Sequence, residues 1–351
     1  METKKKILFF LFGGVGGAER MTLTYGKMLP RSKFDVKFVV CGTEKRIIKF
    51  IPDTYATLFI KWHNIHIFPR IRIARILLKE KPDFVFASTM QLNILLLQVA
   101  KYLKIKCIVR NDNMLSYTTN NIRKKLALYY PSATRIVAQT EEMGKDIADL
   151  IHNEDKVICL HNPIDTETII PKVRNGTSPY PNNGSTNYVC VANFLPAKAH
   201  DILISAFKIV NEHNPNARLY LLGGHTDPEN HNYCRVKGYA DASGVGKYIY
   251  FEGFQTNPYI WMKYADCFVL PSRIEGLPNT LLEAMYLETP VVATLSIPII
   301  DRLIVDGYNG YKVLPNHPEE MAVAMEKAIH LKNFRMTYKG TNINDVISLF
   351  Q

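Results

Sequence analysis

No run of apolar residues in the 351-residue sequence approaches the about 20 needed to cross a bilayer as a helix. No secretory leader is expected either. Met1 to Lys6 is basic, but the apolar run that follows, Ile7 to Phe12, is short and ends in glycines. Both absences point to a cytoplasmic protein, in which the sequons Asn175-Gly176-Thr177 and Asn183-Gly184-Ser185 would be inert. The six cysteines (Cys41, Cys107, Cys159, Cys190, Cys234, Cys267) form no Cys-x-x-Cys pair. Four of them sit in apolar, strand-like runs, which reads as reduced, buried thiols rather than as a disulfide or zinc framework. Basic motifs interleaved with aromatics, as in RNA-binding modules, are missing too, so no nucleic-acid partner is expected.

Hydrophobic residues make up 47% and charged residues 21%, ordinary for a globular chain long enough for two domains. The net charge of +11 is unevenly spread. Residues 1–170 hold 27 Lys+Arg against 16 Asp+Glu, and residues 171–351 hold 16 of each. Two segments of the basic half are amphipathic. In one, Arg70, Arg72, Arg75, Lys79 and Lys81 accompany Ile71, Ile73, Ile76, Leu77 and Leu78. In the other, Arg123, Lys124 and Lys125 precede Leu126, Leu128, Tyr129 and Tyr130. A solvated helix face over a core stripe accounts for both. An anionic membrane surface is the partner they would fit, which would make the protein peripheral on the inner face of a membrane.

One stretch organises the rest. Asp266 to Pro271 is an apolar run ended by proline, read as a buried strand. Glu275-Gly276-Leu277-Pro278-Asn279-Thr280 is a turn, with Asn279 or Thr280 placed to cap the helix that begins at Leu281. Backbone N–H groups at a helix start beyond a strand end suit an anion. The flanking carboxylates Glu275 and Glu283 would repel a phosphate, so they are better used as acceptors for ligand hydroxyls. Phosphate and hydroxyls at one junction describe a sugar nucleotide.

Glu275-x7-Glu283, followed by Thr289-Pro290-Val291-Val292-Ala293-Thr294, resembles the donor-site signature of the retaining family 4 glycosyltransferases (glycosyl transferases group 1). The resemblance implies an α/β chain of the GT-B fold, two doubly wound Rossmann-like domains facing across a cleft. The expected division is an acceptor domain over 1–170, a linker over 171–187, rich in turn formers, and a donor domain over 188–335. A C-terminal helix in 336–351 would cross back to the first domain.

The rest of the chain is similar to the same family. Strand Lys4–Phe12 runs into Gly13-Gly14-Val15-Gly16-Gly17-Ala18-Glu19-Arg20 and a helix from Met21, the plan of a phosphate-binding βα unit. The spacing misses Gly-x-Gly-x-x-Gly and no acidic residue ends the next strand in the usual place, which weighs against a dehydrogenase. Lys198, before a helix start, resembles the family's diphosphate lysine. Gly223-Gly224 and Glu252-Gly253-Phe254 end two further strands at the ligand edge, the second where the family places its nucleobase. Four departures stand out: Asn193 for the usual arginine, Ala199 and Glu288 for glycines, and Arg302 for a glutamate.

The resemblance implies transfer of a sugar, with retained anomeric configuration, from a nucleotide sugar to a hydroxyl of a glycan or lipid-linked acceptor in cell-envelope polysaccharide synthesis. A UDP-sugar is favoured and a GDP-sugar is open. The nucleotide sugar is a co-substrate, and no separate cofactor is expected. Asp-x-Asp occurs nowhere, so the expected chemistry is metal-independent. The donor residues would be Gly14, Gly16, Gly17, Asn193, Lys198, Gly223, Gly253, Phe254, Glu275, Gly276, Leu277, Pro278, Asn279, Thr280 and Glu283. Glu275 and Lys198 would act at the reacting sugar and diphosphate. Asp112, in Asn111-Asp112-Asn113 at a strand end, is the candidate base, since Ser88 stands where the family often has a histidine. The departures also motivate an alternative, a non-catalytic relative that binds nucleotide sugar or a partner.

Overall fold

Strands that read as unbroken apolar runs become the centres of two parallel sheets, because such strands are covered on both faces. The computed structural model describes residues 3–61, 68–224 and 231–351. Unit 1 comprises Met1–Pro163 with Lys339–Gln351, and unit 2 comprises Ile164–Tyr338.

Unit 1 runs β1 (Lys5–Phe12), α1 (Gly17–Met28), β2 (Phe34–Cys41), β3 (Ala56–Ile60), α2 (Phe68–Glu80), β4 (Phe84–Ala87), α3 (Met90–Leu103), β5 (Lys106–Arg110), α4 (Asn120–Tyr129), β6 (Arg135–Ala138), α5 (Glu141–Ile151) and β7 (Val157–Cys159). The sheet order is β3-β2-β1-β4-β5-β6-β7, all parallel. The order reverses between β1 and β4, so the crevice beyond their C-terminal ends is where a doubly wound sheet takes its ligand.

Unit 2 runs α6 (Thr166–Arg174), β8 (Thr186–Val191), α7 (His200–His213), β9 (Ala217–Leu222), α8 (His231–Ala242), β10 (Ile249–Gly253), α9 (Pro258–Tyr264), β11 (Cys267–Leu270), α10 (Asn279–Tyr286), β12 (Val291–Thr294), α11 (Ile299–Leu303), β13 (Gly310–Val313) and α12 (Pro318–Ala328). Its parallel sheet, β10-β9-β8-β11-β12-β13, repeats the plan with the reversal between β8 and β11.

The last helix, α13 (Ile343–Ser348), belongs to unit 1. Asn342 and Asp345 close a capping box at its start. Its apolar side joins the core under α1, where Phe350 is fully buried among Phe9, Phe34, Phe84 and Phe86. The Phe350 and Phe84 rings meet edge to face, 5.6 Å apart at 88°.

The division falls at Pro163/Ile164, upstream of the linker expected over 171–187. Residues 166–174 are helical, and the turn-rich stretch behind them is pinned to unit 2. Tyr180 is buried there, its hydroxyl donating to the Trp261 carbonyl at 2.6 Å and its ring edge-on to Tyr220 and Trp261. That one buried aromatic anchors the stretch, while residues 181–184 behind it stay exposed. The sequence reading also passed over β3, α6, α8, α9, α11 and β13. Of the cysteines, Cys41, Cys107, Cys190 and Cys267 are buried, whereas Cys159 and Cys234 are exposed.

Candidate active site

In unit 2 the loops after β8 and β11 flank the reversal point, so the two candidate residues they carry meet. Lys198 Nζ donates to Glu275 Oε1 at 2.6 Å, and Ser272 Oγ donates to the same oxygen at 2.6 Å. Glu275 is 6% exposed. Such a buried carboxylate persists because it is paired and hydrogen-bonded. Thr294, at the end of β12, bonds the Ser272 carbonyl and fixes that loop from the other side.

Arg273 and Asp201, to which sequence reasoning gave no role, hold the Lys198 turn in place. The Arg273 guanidinium donates to both Asp201 oxygens (3.1 and 2.8 Å), to the Pro196 carbonyl (2.9 Å) and to Asn316 Oδ1 (2.7 Å). Its backbone N–H reaches the Ala197 carbonyl at 2.8 Å. The fork geometry of a bidentate Arg–carboxylate pair fixes the turn over Pro196–Lys198 against the β11 loop. Behind it His200 is buried, its ring stacked on Phe194 at 4.6 Å, and burial, with Lys198 adding, lowers its pKa to about 4. The imidazole is therefore neutral packing.

The helix start differs from expectation. α10 begins at Asn279, with Pro278 as N-cap and no side-chain cap, because Asn279 and Thr280 lie inside the first turn. That end of the helix dipole carries no side-chain acceptor of its own. Glu283 follows in α10 and is buried at 5% exposure. Gly276 and Leu277 are buried in the connecting loop. Gly223 lies where a Cβ would come within 2.0 Å of the Ala192 carbonyl oxygen, so only glycine lets the β8 and β9 loops touch. Asn193 accepts from the Gly224 N–H at 3.2 Å, serving the loop rather than replacing the absent guanidinium. Gly253, with φ +66, closes β10 and leaves Phe254 40% exposed.

The unit 1 candidates form a second group. Asn111 is locked at the end of β5: Tyr130 donates to its Oδ1 at 2.8 Å, and Gln139 donates to its carbonyl at 2.9 Å. Asn162 donates to Gln139 and accepts from the buried Arg110 at 2.5 Å. This network holds Asp112, whose Oδ1 is buried with no hydrogen-bond partner among the described residues. Burial raises the Asp112 pKa to about 6, with Arg110 opposing the rise.

The glycine loop carries its own acid. Glu19, in the first turn of α1, turns back so that a Cβ on Gly16 would lie 2.6 Å from its Oε2. Its carboxylate accepts from the backbone of Glu19 and Gly16, half of a capping box. Burial, with contributions from Asp112 and Glu44, raises its pKa to about 7. The expectation that Gly14, Gly16 and Gly17 offer their N–H groups to a diphosphate therefore meets an ionisable group already at that helix end.

Two family models match. The description "Glycosyl transferases group 1" covers residues 179–343, and "Glycosyltransferase Family 4" covers residues 15–168. Between them they span most of the chain. The chain belongs to the family 4, group 1 glycosyltransferases. A UDP-Gal:alpha-D-GlcNAc-diphosphoundecaprenol alpha-1,3-galactosyltransferase of Escherichia coli is 23% identical over 96% of this chain and 90% of that protein. An uncharacterised glycosyltransferase of Methanocaldococcus jannaschii is 28% identical over 64% of this chain and 58% of its own length. The structure of Anabaena Alr3699/HepE in complex with UDP and glucose superposes with a TM-score of 0.77 at 16% identity, covering 99% of this chain and 94% of that one. The fold of this glycosyltransferase is GT-B, as the two parallel sheets require.

Proposed function

We propose that this glycosyltransferase moves a sugar from a UDP-sugar to a hydroxyl of a glycan or lipid-linked acceptor, with retention and without a metal in the transfer step. The observation that carries the reading is the Lys198–Glu275–Ser272 cluster at the unit 2 reversal point. Lys198 exchanges its carboxylate partner for the departing diphosphate and, with the uncapped start of α10, stabilises the charge that develops there. Glu275, released from the lysine, accepts from a sugar hydroxyl, and Glu283 takes the ribose hydroxyls. Gly276, Leu277, Pro278, Asn279 and Thr280 line the diphosphate, Gly223 and Asn193 shape its far wall, and Phe254 offers the base an exposed ring.

The bond from the anomeric carbon to the diphosphate breaks as the bond to the acceptor oxygen forms on the same face. The acceptor proton passes to a diphosphate oxygen or to Asp112. A carboxylate with a pKa of about 6 is ionised at neutral pH and close enough to it to serve as a base. The E. coli relative, named for a UDP-sugar donor and a diphosphoundecaprenol-linked acceptor, supports both choices.

A lipid-linked acceptor also suits the basic faces of unit 1. No described helix is long and apolar enough to cross a membrane. On α4, Lys124 and Lys125 are exposed beside Leu128, itself 68% exposed. We assign this face to an anionic membrane surface. Flotation with vesicles containing anionic lipid should fail for a Lys124→Glu, Lys125→Glu variant.

Thermal shifts with UDP, GDP, ADP and their sugar conjugates test the donor. A ligand that binds only the native state raises the melting temperature. The reading expects a shift with uridine nucleotides that Glu283→Ala abolishes, and Glu275→Ala should abolish turnover while UDP still binds. Equal shifts with all nucleotides, or none with any, would overturn it. Asn193, committed to Gly224, supports the non-catalytic alternative, which predicts binding without turnover in the unmodified protein.

A further inference from the structure

β6 and β7 are neighbours at one edge of the unit 1 sheet, with Ala138 in register with Cys159. The Leu160 N–H extends that ladder to the Ala138 carbonyl at 2.8 Å. The residues just beyond the two strands are thereby set side by side. Glu141 opens α5 behind its Thr140 cap, and His161 follows two residues after Cys159, on the same side of an extended chain. The Glu141 carboxylate, the Cys159 thiol and the His161 imidazole each place a donor atom within 4.8 Å of the other two. His161 Nε2 lies 3.4 Å from Glu141 Oε1.

We propose that Glu141, Cys159 and His161 form a binding site for a divalent cation of the zinc class. Donors about 2.0–2.3 Å from a tetrahedral zinc stand about 3.3–3.6 Å apart, and the His161–Glu141 separation already has that value. One thiolate, one imidazole and one carboxylate suit Zn2+ or Co2+, whereas Mg2+ and Ca2+ require oxygen donors. Three protein donors leave the fourth position to water or an exchangeable anion. The exposed Cys159 and the Glu141 side chain, 62% exposed, give the ion a way in. Two backbone ties fix the frame. Thr140 Oγ1 accepts from the Met143 N–H at 3.2 Å, and the His161 carbonyl accepts from the Thr341 N–H at 3.3 Å. The ion clamps the end of edge strand β7 to the start of α5, two residues before the chain leaves unit 1 at Pro163. None of its ligands is assigned to transfer, so the site stands or falls independently of the reading above.

The test is a Co2+ titration of the full chain under reducing conditions. The expected result is a saturable thiolate-to-cobalt charge-transfer band at one equivalent, displaced by Zn2+ and untouched by a large excess of Mg2+. Cys159→Ser should abolish the band. His161→Ala and Glu141→Gln should each weaken binding about tenfold or more. Cys234→Ser, which removes the other exposed thiol, should leave the band intact. Equal melting temperatures without metal show that the variants fold. Should one of them fail to fold, protection of Cys159 from alkylation by Zn2+ in the unmodified protein decides the matter. Absence of the band, its survival in Cys159→Ser, its loss in Cys234→Ser or unprotected Cys159 would overturn the proposal.

Discussion

Replacing Glu19 by Gln should make unit 1 more stable at alkaline pH and change little in acid. In the native protein the Glu19 carboxyl titrates near 7, against an ordinary value of 4.5, chiefly because it is buried. Between those values the folded state keeps a proton that the unfolded chain has lost. Stability is therefore fully present below about pH 4.5 and declines as pH rises through 7. The gap corresponds to about 3 kcal/mol, or about 2 after discounting for the solvent that the partly exposed residue still meets. Gln keeps the acceptor oxygen for the Gly16 N–H and cannot ionise, so the half capping box survives. The assay is urea unfolding at pH 5 and pH 8, read by proteolysis of unit 1 peptides because the two units need not unfold together. A gain of about 2 kcal/mol at pH 8 that shrinks toward pH 5 is expected. The Asp112 pKa, raised to about 6 mainly by burial, should stay where it is, since Glu19 still keeps its proton at the pH where Asp112 titrates. A variant destabilised equally at both pH values would refute the reasoning and make Glu19 a plain structural cap.

Four further outcomes are expected. Arg273→Lys keeps the charge but loses the fork to Asp201 and Pro196, so donor KM should rise more than kcat falls, with about 1–2 kcal/mol lost in thermal unfolding. Lys198→Ala should lower kcat about 100-fold in a transfer assay. Glu288→Gly should raise stability by about 1 kcal/mol and Ala199→Gly by about 0.5, measured by urea midpoints, because both residues hold left-handed φ values of +58° and +49°. Phe350→Ala should cost about 3–5 kcal/mol in unit 1 unfolding.

The last substitutions show where the sequence was legible and where it was not. Glu288 and Ala199 registered only as departures from a family pattern. The backbone gives the reason: Glu288 closes a Schellman turn after α10, with the Thr289 N–H on the Ala284 carbonyl and the Glu288 N–H on the Met285 carbonyl. The central strands were legible because burial on both faces leaves an unbroken apolar run, as in Ile7–Phe12 and Cys267–Leu270. β3 was missed because Ala56-Thr57-Leu58-Phe59-Ile60 is a half-exposed edge strand with no such run. Lys198 and Glu275 were each singled out by their place in a motif that resembles the family's, and the structure brings them together. Arg273 was not, because its role rests on partners 72 residues away in Asp201 and 43 away in Asn316. Glu19 went unnoticed because a carboxylate in a helix's first turn ordinarily favours the dipole, and only the fold shows it buried near two other acids. The cluster of Glu141, Cys159 and His161 has no spacing signature, since strand register alone assembles it.

The return of Lys339–Gln351 to unit 1 has a consequence for biosynthesis. Domains near the N-terminus of a growing chain generally fold first. Here the helix that seals Phe9, Phe34, Phe84 and Phe86 is translated only after the whole of unit 2. Until Phe350 emerges, the nascent first domain presents an open aromatic floor beside β1 to the surrounding solution. The interval is set by ribosome speed over some 175 intervening codons, Ile164 to Tyr338. Slow codons in that stretch would prolong exposure of a sticky intermediate, and chaperones that recognise apolar surface would find their substrate there.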